Sequence, residues 1–225
     1  MEKQVISKKR VADHGEVMTG KREVNAMLDL VKNETERIGS RFLEPACGNG
    51  NFLAVILERK LEVVVKRYKR IQYEFERNAV LAVSSIYGVD ILEDNVKECR
   101  QRLLNIFNNI YTNLFKTRIK NKCCEAIRFI LEKNIIWGNA LDLKTMNEPR
   151  RPIIFTEWAL ITGTKLQRRD FEFIDLEYPD EEDKKSLFSL QQGIVKNDIG
   201  GDGFIPLPIK DDYPPISFLE IANVK

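Results

Sequence analysis

FLEPACGNGNFL, residues 42–53, begins on an apolar pair, turns through Glu44-Pro45 and ends in small residues before another apolar run. Gly48 and Gly50 flank a single asparagine directly after what reads as a buried strand. Glycine adopts backbone conformations closed to other residues and leaves room beside the main chain. A strand, a glycine turn and a helix in this order therefore bring backbone N–H groups close to a ligand, and carboxylate or other anionic groups suit that place. A tight turn with no ligand uses the same residues, so the flanking segments must decide.

Working outward, residues 1–12 read as a polar arm and residues 25–38 as a helix with Ala26, Met27, Leu30, Val31 and Ile38 on its apolar face. Gly39-Ser40 ends that helix, and residues 41–43 form a short strand. The helix after the glycines carries Phe52, Leu53, Val55, Ile56 and Leu57. Residues 61–85 stay helical, with the β-branched run 63–65 as the weak point. IYGVDI, residues 86–91, is a strand. Glu93–Phe115 is a long amphipathic helix with Val96, Cys99, Leu103, Phe107, Ile110 and Leu114 at spacings of three or four. Residues 123–131 form another helix, and residues 135–137 a strand closed by Gly138-Asn139.

Strands alternating with helices imply an α/β fold with a mostly parallel sheet, because parallel neighbours require crossovers. Crossovers of one hand then align the carboxyl ends of the strands along one edge, where ligands of such sheets bind. The stretches at that edge are PACGNG, GVDI and GNALD. Asp90, at the tip of the second strand, is placed to accept hydrogen bonds from a ribose diol. Asn139, at the tip of the third, is either a turn residue or a carbonyl that accepts from an exocyclic amine. A nicotinamide dinucleotide fits less well, since Phe52 and Leu53 stand where GxGxxG would continue.

The 225 residues, 43% hydrophobic and 31% charged, are globular in composition and fit one domain with an appendage. The net charge of +2 leaves a nucleic-acid partner to be decided by local clusters. Basic residues gather at Lys8-Lys9-Arg10, at Lys66, Arg67, Lys69 and Arg70, and at Lys165, Arg168 and Arg169; acidic ones gather at residues 180–183. The cysteines, Cys47, Cys99, Cys123 and Cys124, form no CxxC pair, and His14 is the single histidine. Zinc-ligand spacings and a disulfide framework are thereby excluded, no metal is expected, and a Ser-His-Asp site is hard to build. No stretch approaches the ~18 apolar residues of a membrane span, so a cytoplasmic setting is the default.

Beyond Asn139 the character changes. PIIFTEWALITGTKLQRRDFEFIDL has two strand-like halves around Thr162-Gly163 and reads as a β-hairpin. A polar segment with Gly200, Gly201 and Gly203 reads as a linker, and a proline-rich extended tail closes the chain. The organisation is thus 1–150 for the cofactor-binding domain, 151–178 for the hairpin and 179–225 for loop and tail.

These motifs resemble those of the amino-group DNA methyltransferases, in the gamma arrangement of the adenine-N6 enzymes of restriction-modification systems. FLEPACGNGNFL looks like motif I, IYGVDILEDNV like motif II, IIWGNALD like motif III, and HGEVMTGKREVNAML resembles motif X. The resemblance spans about residues 13–143. It implies a Rossmann-like methyltransferase core that binds S-adenosylmethionine and acts on DNA. Glu44 would meet the methionine amino group, and the turn from Pro45 through Ala46, Cys47, Gly48 and Asn49 to Gly50, with Phe52 behind it, would approach the carboxylate. Asp90 would bind the ribose, Ile91 would pack on adenine, and Asn139 with Ala140 would border its amine. Met18 and Thr19 would close over the methionine end.

The chain departs from the family pattern where catalysis belongs. Adenine methylation needs an (Asn, Asp or Ser)-Pro-Pro-(Tyr, Phe or Trp) motif, whose polar group holds the amine while the ring stacks on the flipped base. The expected region offers only Thr156-Glu157-Trp158, and Asp212-Tyr213-Pro214-Pro215 reads as a turn or recognition tail. Thr19-Gly20 also stands where the family has Thr-Pro. Two readings follow: a methyltransferase or its cofactor-binding subunit, with Lys165, Arg168 and Arg169 on DNA phosphates and a second methyltransferase or restriction subunit as partner; or a non-catalytic binding protein. A methyltransferase with another acceptor is a third.

Overall fold

The computed structural model describes residues 8–174, 208–210 and 213–223. The helices α1 (Lys8–His14), α2 (Lys21–Asp29) and α3 (Lys32–Thr35) precede the first strand. Strands β1 (Phe42–Glu44), β2 (Ile86–Asp90) and β3 (Ile135–Asn139) pair in parallel in that order, and β4 (Lys144–Thr145) adds antiparallel to β3. Each parallel crossover is a helical hairpin: α4 (Asn51–Tyr68) with α5 (Gln72–Ser84), then α6 (Glu93–Phe115) with α7 (Asn121–Asn134).

Successive strand residues point to opposite faces. Phe42, Ile86, Ile135 and Trp137 pack with the crossover helices in the main core, whereas Tyr87, Val89 and Ile136 belong to a second cluster on the other face. Winding β1 to β2 to β3 in one direction, with crossovers of one hand, leaves all the helices on one side. A second sheet closes the other side. Its strands are β5 (Ile154–Thr162), β6 (Lys165–Glu172) and β7 (Ile216–Ser217), all antiparallel. Ile153, Phe155 and Phe173 pack on Tyr87 and Val89, and buried side chains of this size contribute about 1.5–3 kcal/mol each. Farther along the hairpin, Trp158 and Leu166, joined by Phe218 and Ile221, enter the main core.

The mixed α/β class, the mostly parallel sheet and the hairpin agree with the sequence reading. Several details differ. The helix expected over residues 25–38 is broken into α2 and α3, and Val24 and Leu28 are its buried residues. Met27, Leu30 and Val31, expected in the core, are 55%, 87% and 45% exposed; Met27 lies to the side of the buried Val24–Leu28 pair, and Leu30 and Val31 fall in the break after α2 ends at Asp29. The helical run over 61–85 breaks at residues 69–71 and not in the β-branched stretch, because Val64 is buried in α4 and tertiary packing overrides a weak propensity. The N-terminal arm forms α1 from Lys8 onward. Of the tail, Ile216–Ser217 adds a strand to β6, while the Gly200-Gly201-Gly203 linker lies outside the described residues. Among the described residues no helix is long and apolar enough to cross a membrane, and no cluster of His, Cys, Asp or Glu is arranged to hold a metal ion.

Candidate functional site

The tips of β1, β2 and β3 and the segment after α1 enclose a crevice of about 740 Å³. Its first wall is the glycine turn. Gly48 and Gly50 have φ of +52° and +86°, the left-handed region that side chains other than glycine rarely adopt. A Cβ at Gly50 would lie 2.7 Å from Cys99 Sγ, so this glycine also lets α4 approach α6. A Cβ at Gly48 would meet open space, because that position borders the crevice.

The turn is stapled to β2. Gly48 N–H donates to Asp90 Oδ2 at 2.8 Å and Cys47 N–H donates to Val89 O at 2.9 Å. The other Asp90 oxygen accepts from Leu92 N–H at 2.9 Å and Asn95 Nδ2 at 3.2 Å. A carboxylate offers about four lone-pair positions, so Asp90 keeps about one for a ligand. The expected two-point grip on a ribose diol therefore requires one of these bonds to be given up. Most of the turn's amides are committed as well, since Gly50 N–H donates to Cys47 O at 2.8 Å. The donors left for an anion are Asn49 N–H and those in the first turn of α4, which no side chain caps.

Glu44 folds back toward the turn, accepting weakly from Ala46 N–H at 3.4 Å. Burial pushes its carboxyl above the ordinary value, and the Ala46 bond opposes this only in part. A buried acid with so little internal compensation is poised to gain from a cationic partner. Cys47 points into the floor, where a hydrogen bond with Cys99, then burial, raises its thiol well above the ordinary range. It is a packing group and not a nucleophile. Pro45, Ala46, Asn49 and Phe52 complete this wall.

Ile91, 41% exposed, and Leu141, 96% exposed, stand at the apolar rim with Ala140. Asn139 lines the crevice, but its Oδ1 accepts Leu141 N–H at 2.9 Å. It thus closes its own turn while keeping one lone pair and its amide N–H groups. Met18 and Thr19 form the opposite wall. Asn51 holds them there, donating to Thr19 O at 3.0 Å and accepting from Arg102 at 2.6 Å.

The structure adds residues that sequence reasoning missed. Glu16 lines the crevice and accepts from Asn95 Nδ2 at 2.7 Å and Arg10 at 2.7 Å. Burial raises its carboxyl, but these two hydrogen bonds outweigh burial and hold it below the ordinary value. Arg10 also pairs with Asp94, so α1 is clamped to α6 beside the crevice. Glu16 falls inside HGEVMTG, the one signal available. Asn95 carries no signal, because its role arises only when α6 is packed. With Asp13, the crevice has four acidic residues in its lining, Asp13, Glu16, Glu44 and Asp90, and no lysine or arginine among the described residues.

Thr156, Glu157 and Trp158 are not in this crevice. Thr156 is buried and donates to Asp170 at 2.9 Å. Glu157 pairs with Arg169 at 2.7 Å and with Arg41, just ahead of β1. Trp158 packs edge-on against Phe129 of α7. Arg41 and Ser84 and Ser85, which flank the starts of β1 and β2, share a small cavity with Glu157 and Trp158. The three candidates thus sit at the amino ends of the strands, with the crevice at the carboxyl ends. Physically, β5 runs across the sheet face from Ile153, beside Gly138, toward Arg41 and carries them away from the site.

The hairpin cations are also committed elsewhere. Arg168 is 6% exposed, makes a two-point pair with Asp170 at 2.8–2.9 Å and stacks 4.2 Å from the Tyr213 ring. Its expected place on DNA phosphates is corrected by that burial. Arg169 is half-exposed and paired, and Lys165 alone of the three is exposed without an ion pair among the described residues. Comparison with protein-family models, with curated proteins and with solved structures finds no match.

Proposed function

We propose that the crevice binds S-adenosylmethionine and that the chain is the cofactor-binding part of an adenine-N6 DNA methyltransferase, built on a Rossmann-like core. The observation that carries this reading is the lining: four acids, no lysine or arginine among the described residues, and uncapped N–H donors at the start of α4. A phosphorylated cofactor such as a dinucleotide would be repelled there, whereas a ligand with a sulfonium, an ammonium and one carboxylate is complemented at each charge. The β1-β2-β3 order with helical crossovers supports the same fold reading.

On this reading Glu44 accepts from the ammonium, and the first turn of α4 donates to the carboxylate. Asp90, through its remaining lone pair, takes a ribose hydroxyl. Ile91, Ala140 and Leu141 cover the adenine, Asn139 offers its spare carbonyl lone pair to the adenine amine, and Met18 and Thr19 close over the methionine end. S-adenosylmethionine supplies an electrophilic methyl group on a positively charged sulfur. The chain's part in transfer is then orientation and exclusion of phosphates.

A specific observation favours the subunit form of the proposal. No Asn/Asp/Ser-Pro-Pro-aromatic motif occurs in the sequence, and Thr156, Glu157 and Trp158 are held by internal partners away from the crevice. The acceptor amine is accordingly gripped by residues outside this sequence, and a separate methyltransferase subunit is the form to be tested. The test uses methyl-tritiated S-adenosylmethionine. The chain retains label on a filter, and passes it to duplex DNA only after addition of a methyltransferase subunit that carries the missing motif. Absence of retained label overturns the proposal, and transfer by the chain alone overturns its subunit form.

A further inference from the structure

The two crossovers are longer than the sheet they connect. β2 has five residues, while α4 has 18 and α6 has 23. At ~1.5 Å per residue these helices run about 27 Å and about 34 Å from the crevice, so both helical hairpins project beyond the amino ends of the strands. Their far turns, residues 69–71 and 116–120, are brought together there. Gln72 donates to Arg118 O at 2.6 Å and to Tyr111 Oη at 3.1 Å, and Tyr111 donates to buried Glu76 at 2.5 Å.

That joined end is basic. Lys66, Arg67, Lys69 and Arg70 come from the first hairpin, and Lys116, Arg118, Lys120 and Lys122 from the second; all eight are exposed. Lys66, Lys120 and Lys122 are paired, with Glu62, Glu76 and Glu220. Arg67, Lys69, Arg70, Lys116 and Arg118 have no ion pair among the described residues. Glu74, at the start of α5, is taken by Arg77. Cations at the last turn of a helix complement its dipole, but Lys66 and Arg67 already serve α4. Lys69, Arg70, Lys116, Arg118 and Lys120 lie past the ends of α4 and α6 on the turns themselves, and Lys122 is in the first turn of α7.

From this placement we infer that the joined turns are a docking surface for the phosphate backbone of duplex nucleic acid, at the end of the molecule opposite the crevice. Four cations without ion pairs on the two turns, Lys69, Arg70, Lys116 and Arg118, with Arg67 on the last turn of α4, form a stripe from different chain segments, and Gln72 joins the turns. A near-neutral chain, +2 overall, holds such a ligand by local contacts and not by its net field. The surface anchors nucleic acid without presenting a base to the crevice. It does not depend on what the crevice binds.

The experiment is fluorescence anisotropy with a labelled duplex DNA of about 24 base pairs. Wild-type binding is expected to fall roughly 100-fold between 50 and 200 mM KCl, as release of counterions from three to five phosphates requires. Arg67→Ser/Lys69→Ser/Arg70→Ser and, separately, Lys116→Ser/Arg118→Ser are each expected to weaken binding about tenfold or more at 50 mM and to flatten the salt slope. Lys165→Ser, on the β5–β6 hairpin, is expected to change nothing. The inference is overturned if the wild type does not bind, if both multiple variants bind like the wild type, if Lys165→Ser alone abolishes binding, or if phosphatidylserine vesicles bind in place of DNA. S-adenosylmethionine retention, measured on the same variants, is expected to be unchanged, so failure here is distinguishable from failure of the cofactor reading.

Discussion

The crevice and the antiparallel sheet both hold buried or half-buried charge, but they dispose of it differently. In the sheet, Asp170 receives Arg168 at two points, Thr156 and Tyr213. Those groups hold its carboxyl below the ordinary value although burial acts to raise it. In the crevice, Glu44 has one weak backbone donor and a raised value. A polar network closed on itself fixes structure. Glu44, without a base beside open space, is left for a ligand to complement. Sequence inspection gives both regions polar and aromatic residues, and only the partners separate them.

The largest effect expected from breaking this contrast is at Asp170. Asp170→Ala leaves buried Arg168 unpaired and is expected to cost about 3–5 kcal/mol of stability, read by urea unfolding, with S-adenosylmethionine affinity of the folded chain unchanged. Loss of affinity without loss of stability would transfer Asp170 from the scaffold to the site.

Gly50→Ala forces a side chain into the left-handed region and to 2.7 Å from Cys99 Sγ. It is expected to cost about 2 kcal/mol and, unlike Asp170→Ala, to weaken ligand binding as well, since the start of α4 must shift. Calorimetric unfolding and a ligand titration on one preparation check both halves.

Glu44→Gln is expected to separate binding from stability in the opposite sense. Losing a charged hydrogen-bond partner weakens S-adenosylmethionine binding roughly 10- to 100-fold. The free chain gains slightly in stability, because an acid whose folded value is raised binds more protons folded than unfolded. Its ionised form therefore disfavours the fold as pH rises from the unfolded value through the folded one. With the opposite sign, binding in the wild type declines as pH falls through the raised Glu44 value, because the ammonium needs the ionised carboxylate. A pH-independent affinity, or a Glu44→Gln chain less stable than wild type, would contradict this.

The smallest effect is at Trp158. Its indole N–H is buried with no partner, so Trp158→Phe removes an uncompensated donor along with some packing against Phe129. A net stability change within ~1 kcal/mol and no change in cofactor binding are expected. A loss of affinity would restore Trp158 as a site residue.

The strand tips were legible because their signals are local. FLEPACGNGNFL specifies strand, turn and helix by its own spacing, and Gly48 and Gly50 have the positive φ that a glycine turn implies. What could not be read are roles created by long-range packing. Asn95 and Arg102 reach the site from α6. Lys60, which carries no signal in the sequence, is buried in α4 and donates to Ile38 O, Ser40 O and Ser85 Oγ. Arg168 reads as a surface cation for the same reason: strand alternation puts it on one face with Asp170, but does not disclose that Tyr213 and Trp158 pack over it. The apolar face of α2 was misjudged since Met27, Leu30 and Val31 fit the spacing of one continuous helix, and neither the break after Asp29 nor the burial of Val24 and Leu28 is signalled locally.

The central claim is that a crevice lined with acids holds a sulfonium nucleoside and refuses phosphates. Isothermal titration of the full chain with S-adenosylmethionine, in the absence and presence of millimolar ATP, tests it most directly. One site per chain, undisturbed by ATP, is the expected result. No heat with S-adenosylmethionine, or displacement of it by ATP, would contradict the account.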